Sequence, residues 1–209
     1  DTTPAKYLAE NVYPENYYAS YNASVEENNG LSNLVTIGYV AQLGDVKYTT
    51  LQAAVDACTA GNNIVVLLVD NNEDIIIKQV EGVNVTINGD GKKYSGTFTI
   101  HGNARSEGAE TLTFQNINFT TSESDHIFID ANSTASAERY AHNVTIENCN
   151  FTATDAAKHT AVAARLRQSF DIKFVGGTFT GLHSVLQGYG IAGVEIDGVT
   201  AVDCKNGAA

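Results

Sequence analysis

The chain has 209 residues, of which 43% are hydrophobic, and carries 24 acidic against 12 basic side chains for a net charge of −12. That length supports one domain with a substantial core, and that apolar content excludes a disordered chain. The acidic balance argues against nucleic-acid binding and against docking on an anionic membrane surface, because both need clustered Lys and Arg, and it leaves sugars and cations as partners. No run of about 18 apolar residues is present, so no segment reads as a membrane span. The start at Asp1 and the absence of Met read as a mature or excised piece of a longer protein.

Residues 1–39 differ from the rest. Tyr7, Tyr13, Tyr17, Tyr18, Tyr21 and Tyr39 fall within them, and the segment reads as a linker or as the end of a preceding module. From residue 40 the pattern becomes regular. Residues 40–43 and 46–48 flank a Gly44-Asp45 turn. Residues 50–58 then read as an amphipathic helix with Leu51, Ala54, Val55 and Cys58 on one side, Thr49 or Thr50 at its start and Gly61 at its end. Residues 63–69 follow as a buried strand. The acidic run Asp70-Asn71-Asn72-Glu73-Asp74 matches part of a Ca²⁺ loop through Asp70, Asn72, Asp74 and Glu81. Ile75 stands where such a loop needs Gly, so the run reads as a turn.

A repeat follows. Val85-Thr86-Ile87, Leu112-Thr113-Phe114, Val144-Thr145-Ile146, Ile172-Lys173-Phe174 and Val194-Glu195-Ile196 begin at positions separated by 27, 32, 28 and 22 residues. In the last four, a bend residue (Asn116, Asn148, Gly176 or Gly198) separates this alternating triplet from a second one. Alternation marks a strand with one buried face, and Gly and Asn enter the left-handed region at least cost. Each unit is therefore two short strands joined by a sharp bend. A unit this small cannot bury its own apolar face, and stacking equivalent units about 4.8 Å apart in parallel solves the problem. Gly96–Ile100, His126–Ile129, His159–Ala163 and His183–Leu186 supply a third strand per turn, with loops such as 120–125 and 131–142 absorbing the differences in length. The pattern predicts an all-β, right-handed parallel β-helix with an N-terminal capping helix, as a single domain over residues 40–209. A β-sandwich would need hairpin signals at every turn.

The opening run Val40-Ala41-Gln42-Leu43-Gly44-Asp45-Val46-Lys47-Tyr48-Thr49-Thr50-Leu51-Gln52-Ala53-Ala54-Val55-Asp56-Ala57 resembles the start of pectate-lyase-like parallel β-helix modules in bacterial cell-surface, adhesin-like proteins. Tyr7-Leu8-Ala9-Glu10 resembles the segment that links one such module to the next. The resemblance implies an extracellular or cell-surface location in a longer bacterial protein, and a spacer or adhesion role with a glycan or host-surface ligand.

Candidate site residues follow from the repeat. His126, His159 and His183 each open a predicted third strand and would form a column that could stack or meet a metal. The ordinary reading of like residues in stacked turns is a repeated environment, and no metal set is assigned. With Tyr189 these are the candidate ligand-binding residues. No catalytic residue and no cofactor is assigned. The enzymatic alternative is a polysaccharide lyase or a glycoside hydrolase. A lyase of this fold, the resemblance implies, would use acidic residues for Ca²⁺ and a basic side chain for proton removal. Asp125, Asp130, His126, His159, Lys158, Arg165 and Arg167 supply the residue types, and Asp125 with Asp130 are the carboxylates a hydrolase would need. A phage tail-spike fragment would share the fold. Cys58, Cys149 and Cys204 lack metal-ligand spacing and read as small buried hydrophobes, with a Cys149–Cys204 disulfide as the other reading.

Overall fold

The structure, a computed structural model, describes residues 38–102, 108–133, 135 and 140–208. The expected linker role of residues 1–39, including the Tyr7–Glu10 resemblance, falls outside these except for Gly38 and Tyr39. The described residues begin with a hairpin of β1 (Ala41–Leu43) and β2 (Val46–Tyr48), then helix α1 (Leu51–Asp56), then β3 (Gly61–Leu67) and β4 (Ile75–Lys78). Successive turns follow: β5 (Val83–Asn88), β6 (Lys93–Tyr94), β7 (Phe98–His101); β8 (Leu112–Gln115), β9 (Asn118–Thr121), β10 (Ile127–Ala131); β11 (His142–Glu147), β12 (Asn150–Ala153), β13 (Val162–Arg167); β14 (Phe170–Val175), β15 (Thr178–Thr180), β16 (Ser184–Tyr189); and β17 (Ala192–Asp197), β18 (Thr200–Val202), β19 (Asn206–Ala208). They coil into a parallel β-solenoid of about five turns.

Three sheets line the coil. The first runs β2-β1-β3-β5-β8-β11-β14-β17, the second β4-β7-β10-β13-β16-β19, and the third β6-β9-β12-β15-β18. Among the described residues every strand pairing is parallel except those of β1 with β2 and with β3. The bends between the first and third sheets sit where the repeat places them: Asn116, Asn148, Gly176 and Gly198 all have φ between 49° and 65°.

The sheet register carries each apolar repeat position onto its equivalent in the next turn. Tyr94, Phe119, Phe151 and Phe179 form one column inside the third sheet, and all are fully buried. Phe119 and Phe151 stack with centroids 4.4 Å apart and 8° between planes, and Phe151 and Phe179 stack at 4.8 Å and 10°. Between these three rings the rung spacing of a sheet suits parallel stacking, while Tyr94 meets Phe119 edge-on at 5.7 Å and 81°.

Helix α1 covers the N-terminal end of the coil, burying Leu51, Ala54 and Val55. The Thr50 side chain caps it by accepting from Ala53 N, as expected, but it ends at Ala57, and Gly61 begins β3 instead. The acidic run explains its own composition here. The Glu73 carboxylate accepts from Leu51 N at 2.9 and 3.1 Å, at the positive end of α1. Asp70 accepts from Lys93 N and Asp74 from Thr97 N, each tying the first turn to the second. At the other end, Val194 and Ile196 align with Ile172 and Phe174 yet are 42% and 51% exposed, since β17 is the last strand of its sheet.

All three cysteines are free. Cys149 and Cys204 each donate to backbone carbonyls, Cys149 to Glu147 and Phe114, Cys204 to Phe179 and Val202, and do not pair. Burial pushes the Cys149 thiol up to about 12. Native protein treated with a thiol reagent at pH 8 should therefore label Cys58 and Cys204, both half-buried, while Cys149 reacts only after denaturation. Fast labelling of Cys149 in the folded state would contradict this packing.

Candidate functional site

The outward face of the second sheet carries four of the predicted residues, Asp130, Arg165, Arg167 and Tyr189. Register aligns Ile76 with Thr99, Thr99 with Asp130, Asp130 with Arg165, and Arg165 with Gln187. Two residues further along the strands, Lys78 lies beside His101, and Arg167 beside Tyr189.

Two contacts dominate this flank. Arg165 donates to both oxygens of Asp130, from Nε at 3.1 Å and from Nη2 at 2.6 Å, so the pair clamps two adjacent turns. The Arg167 guanidinium lies 5.3 Å from the centroid of the Tyr189 ring, and Tyr189 is 69% exposed. The Nε atom of Arg167 is buried without a hydrogen-bond partner.

The histidine column does not form. Ile127 pairs with Val162 and Val162 with Ser184, so the residue before each gives the row His126, Ala161, His183. Two rung spacings, roughly 10 Å, separate the two histidines, too far for shared coordination or ring stacking. His159 is displaced because the Asp155–Ala157 helical turn takes up chain before β13 begins at Val162. Its Nε2 meets Asp203 Oδ1 at 3.2 Å, and Lys158 Nζ meets Asp203 Oδ2 at 2.7 Å. The Lys158 ammonium and then His159 hold the Asp203 carboxyl below the usual carboxylate range. His183 Nδ1 lies 2.8 Å from Ser184 Oγ. Asp125 is exposed at a left-handed position, where its backbone N–H donates to Thr160 Oγ1. The seven residues proposed for catalysis thus divide into an Asp130–Arg165 pair, a Lys158–His159–Asp203 cluster, the Arg167–Tyr189 stack, and Asp125 and His126 at the corner before β10. Among the described residues no group of three His, Cys, Asp or Glu side chains is arranged to hold a metal ion.

Beside this flank, at the corner between the third and second sheets, lies a groove of about 590 Å³. Its origin is a step in corner length. The second turn crosses from β6 to β7 with residues 95–97 alone, whereas the third and fourth turns use residues 122–126 and 154–161. The short corner is held down by Gly96: a Cβ there would sit 2.2 Å from Glu73 O. Asn72, Ser95 and His126 line the groove, Thr120 and Thr152 line it from β9 and β12, and Thr154 from the corner after β12. Asp74 and Glu123 are its carboxylates. Of these residues only His126 was among the sequence candidates for a site, although a signal for the others was present: Asn118-Phe119-Thr120 and Asn150-Phe151-Thr152 place the same hydroxyl on successive turns.

The fold defines the class: the chain is a parallel β-solenoid protein. No family model, no curated protein and no solved structure matches it. No helix among the described residues is long and apolar enough to cross a membrane.

Proposed function

We propose that this chain is a non-catalytic module of a longer extracellular surface protein of bacterial type, serving in adhesion or as a spacer, and that the outward flank of its second sheet binds a glycan. The observation that carries the reading is Tyr189, an exposed ring braced by the Arg167 guanidinium on an open flank of hydrogen-bonding side chains. An exposed, oriented aromatic ring with flanking polar groups suits the apolar face and hydroxyls of a sugar. Catalysis is the weaker reading for these side chains. Both oxygens of Asp130 are engaged by Arg165, and Lys158 and His159 are engaged by Asp203, so the acid and base candidates are tied into links between turns. The resemblance of residues 40–57 to surface-protein modules supports the location.

The test is a glycan array followed by titration of the best ligand. Wild type should be retained by at least one glycan, and Tyr189→Ala should weaken that binding about tenfold, equivalent to roughly 1.4 kcal/mol. Retention by no glycan would overturn the binding reading. Release of unsaturated products from a uronate polysaccharide in the presence of Ca²⁺ would replace it with the lyase.

A further inference from the structure

The corner groove differs in chemistry from the flank beside it. Among the described residues no Lys or Arg lines it, whereas Lys78, Arg165 and Arg167 lie on the flank. Its polar character comes from the hydroxyls of Ser and Thr and from two carboxylates. Asp74 spends Oδ1 on Thr97 N at 2.8 Å, and the exposed Glu123 carboxylate makes no hydrogen bond within the described residues. The Nε2 atom of His126 is enclosed and likewise has no hydrogen-bond partner. The buried unsatisfied nitrogen is costly to leave without a partner, while the exposed carboxylates keep acceptors open to a ligand. Its size falls within the range of ligand clefts.

Charge selects among sugars. A uronate or sulfated chain would bring its anions against Asp74 and Glu123 with no Lys or Arg among the described lining residues to offset them. A sugar bearing free amines would place ammonium groups there instead, and its hydroxyls would meet Thr120, Thr152 and Thr154. We propose that the groove is a second ligand site, selective for an amino-sugar oligomer with unacetylated amines. The proposal rests on the glycan-binding reading for the sugar, and on Asp74, Glu123 and the absence of basic lining residues for the amine.

The experiment is calorimetric titration with a fully deacetylated glucosamine tetramer and with its N-acetylated counterpart, at about pH 5.5, where Asp and Glu are ionised. The deacetylated tetramer should bind at least tenfold more tightly than the acetylated one. Glu123→Gln should weaken it about tenfold, and Ser95→Lys, which puts an ammonium into the groove from an exposed position, should abolish it. Asp45→Asn, which removes the same unit of charge from the β1–β2 turn, should change nothing, and neither should Tyr189→Ala. Equal losses in Asp45→Asn and Glu123→Gln would show attraction to the overall negative charge and overturn the proposal. So would a failure to prefer the free amine. If other glycans bind through Tyr189 while the amine tetramer does not bind, the groove site fails and the flank reading stands; if no glycan of any class binds, both fail.

Discussion

Phe151→Ala should cost about 4 kcal/mol of folding stability, within the usual range for removing a large aromatic from a core. Phe151 is fully buried and is the midpoint of the ring column, stacked on Phe119 at 4.4 Å and on Phe179 at 4.8 Å, with Phe128 edge-on at 5.6 Å. Its loss removes the transfer energy of the side chain, opens a cavity between rungs that backbone hydrogen bonds hold at fixed spacing, and breaks three ring contacts worth about 0.5–1.5 kcal/mol each. For a chain of this length the midpoint of thermal unfolding should fall by roughly 10 °C. Position along the coil supplies the control. Phe179 has Phe151 on one side and Ala201 on the other, with Phe174 as its remaining ring neighbour. Phe179→Ala should therefore be the milder change. Urea midpoints for the two variants decide the matter; equal midpoints, or a larger loss at Phe179, would mean that the column does not carry the core as its geometry implies.

The core was legible because a solenoid writes its register into the sequence. Phe119, Phe151 and Phe179 each lie three residues after a bend at Asn116, Asn148 or Gly176, and the structure superposes them rung by rung. The first sheet was legible for the same reason. Three of the third strands, read over residues 96–100, 126–129 and 183–186, overlap β7, β10 and β16, but the fourth was misplaced, because nothing in alternation alone says where a corner ends. His159-Thr160-Ala161-Val162-Ala163 reads as a strand, yet its first three residues belong to a corner that begins with a helical turn. The shift moves His159 out of the row of His126 and His183 and into contact with Asp203, two turns further on. The candidate site suffered most from this, since its rows depend on corner length. Asp130 and Arg165 were both identified, but their pairing follows from the register of β10 on β13, which the sequence pattern did not reveal. The groove was missed because it is a difference between turns, and a search for repeats discards differences.

The bend itself is the second place where one atom should decide the fold. Gly176 and Gly177 are adjacent, both with positive φ, at 65° and 82°. They should respond to substitution in opposite ways. Gly176 occupies the position that Asn116 and Asn148 fill in the two preceding turns at φ 55° and 49°, so the backbone there already accepts asparagine. A Cβ on Gly176 would meet Asn148 Oδ1 at 2.7 Å, the free end of a side chain that can turn aside. Gly176→Asn should alter stability by no more than about 1 kcal/mol. A Cβ on Gly177 would stand 2.0 Å from the carbonyl oxygen of Cys149, which is backbone in the neighbouring turn. Relief requires the two rungs to part, and Gly177 O also accepts from Thr200 N at 3.0 Å, so the next rung would move as well. A strained left-handed alanine and an overpacked contact each cost about 1–3 kcal/mol, and Gly177→Ala should lose roughly 2–5 kcal/mol or fail to fold. Chemical denaturation of the two variants beside wild type tests this directly. A stable Gly177→Ala protein, or a Gly176→Asn protein that is the worse of the two, would place the left-handed bend at the wrong residue.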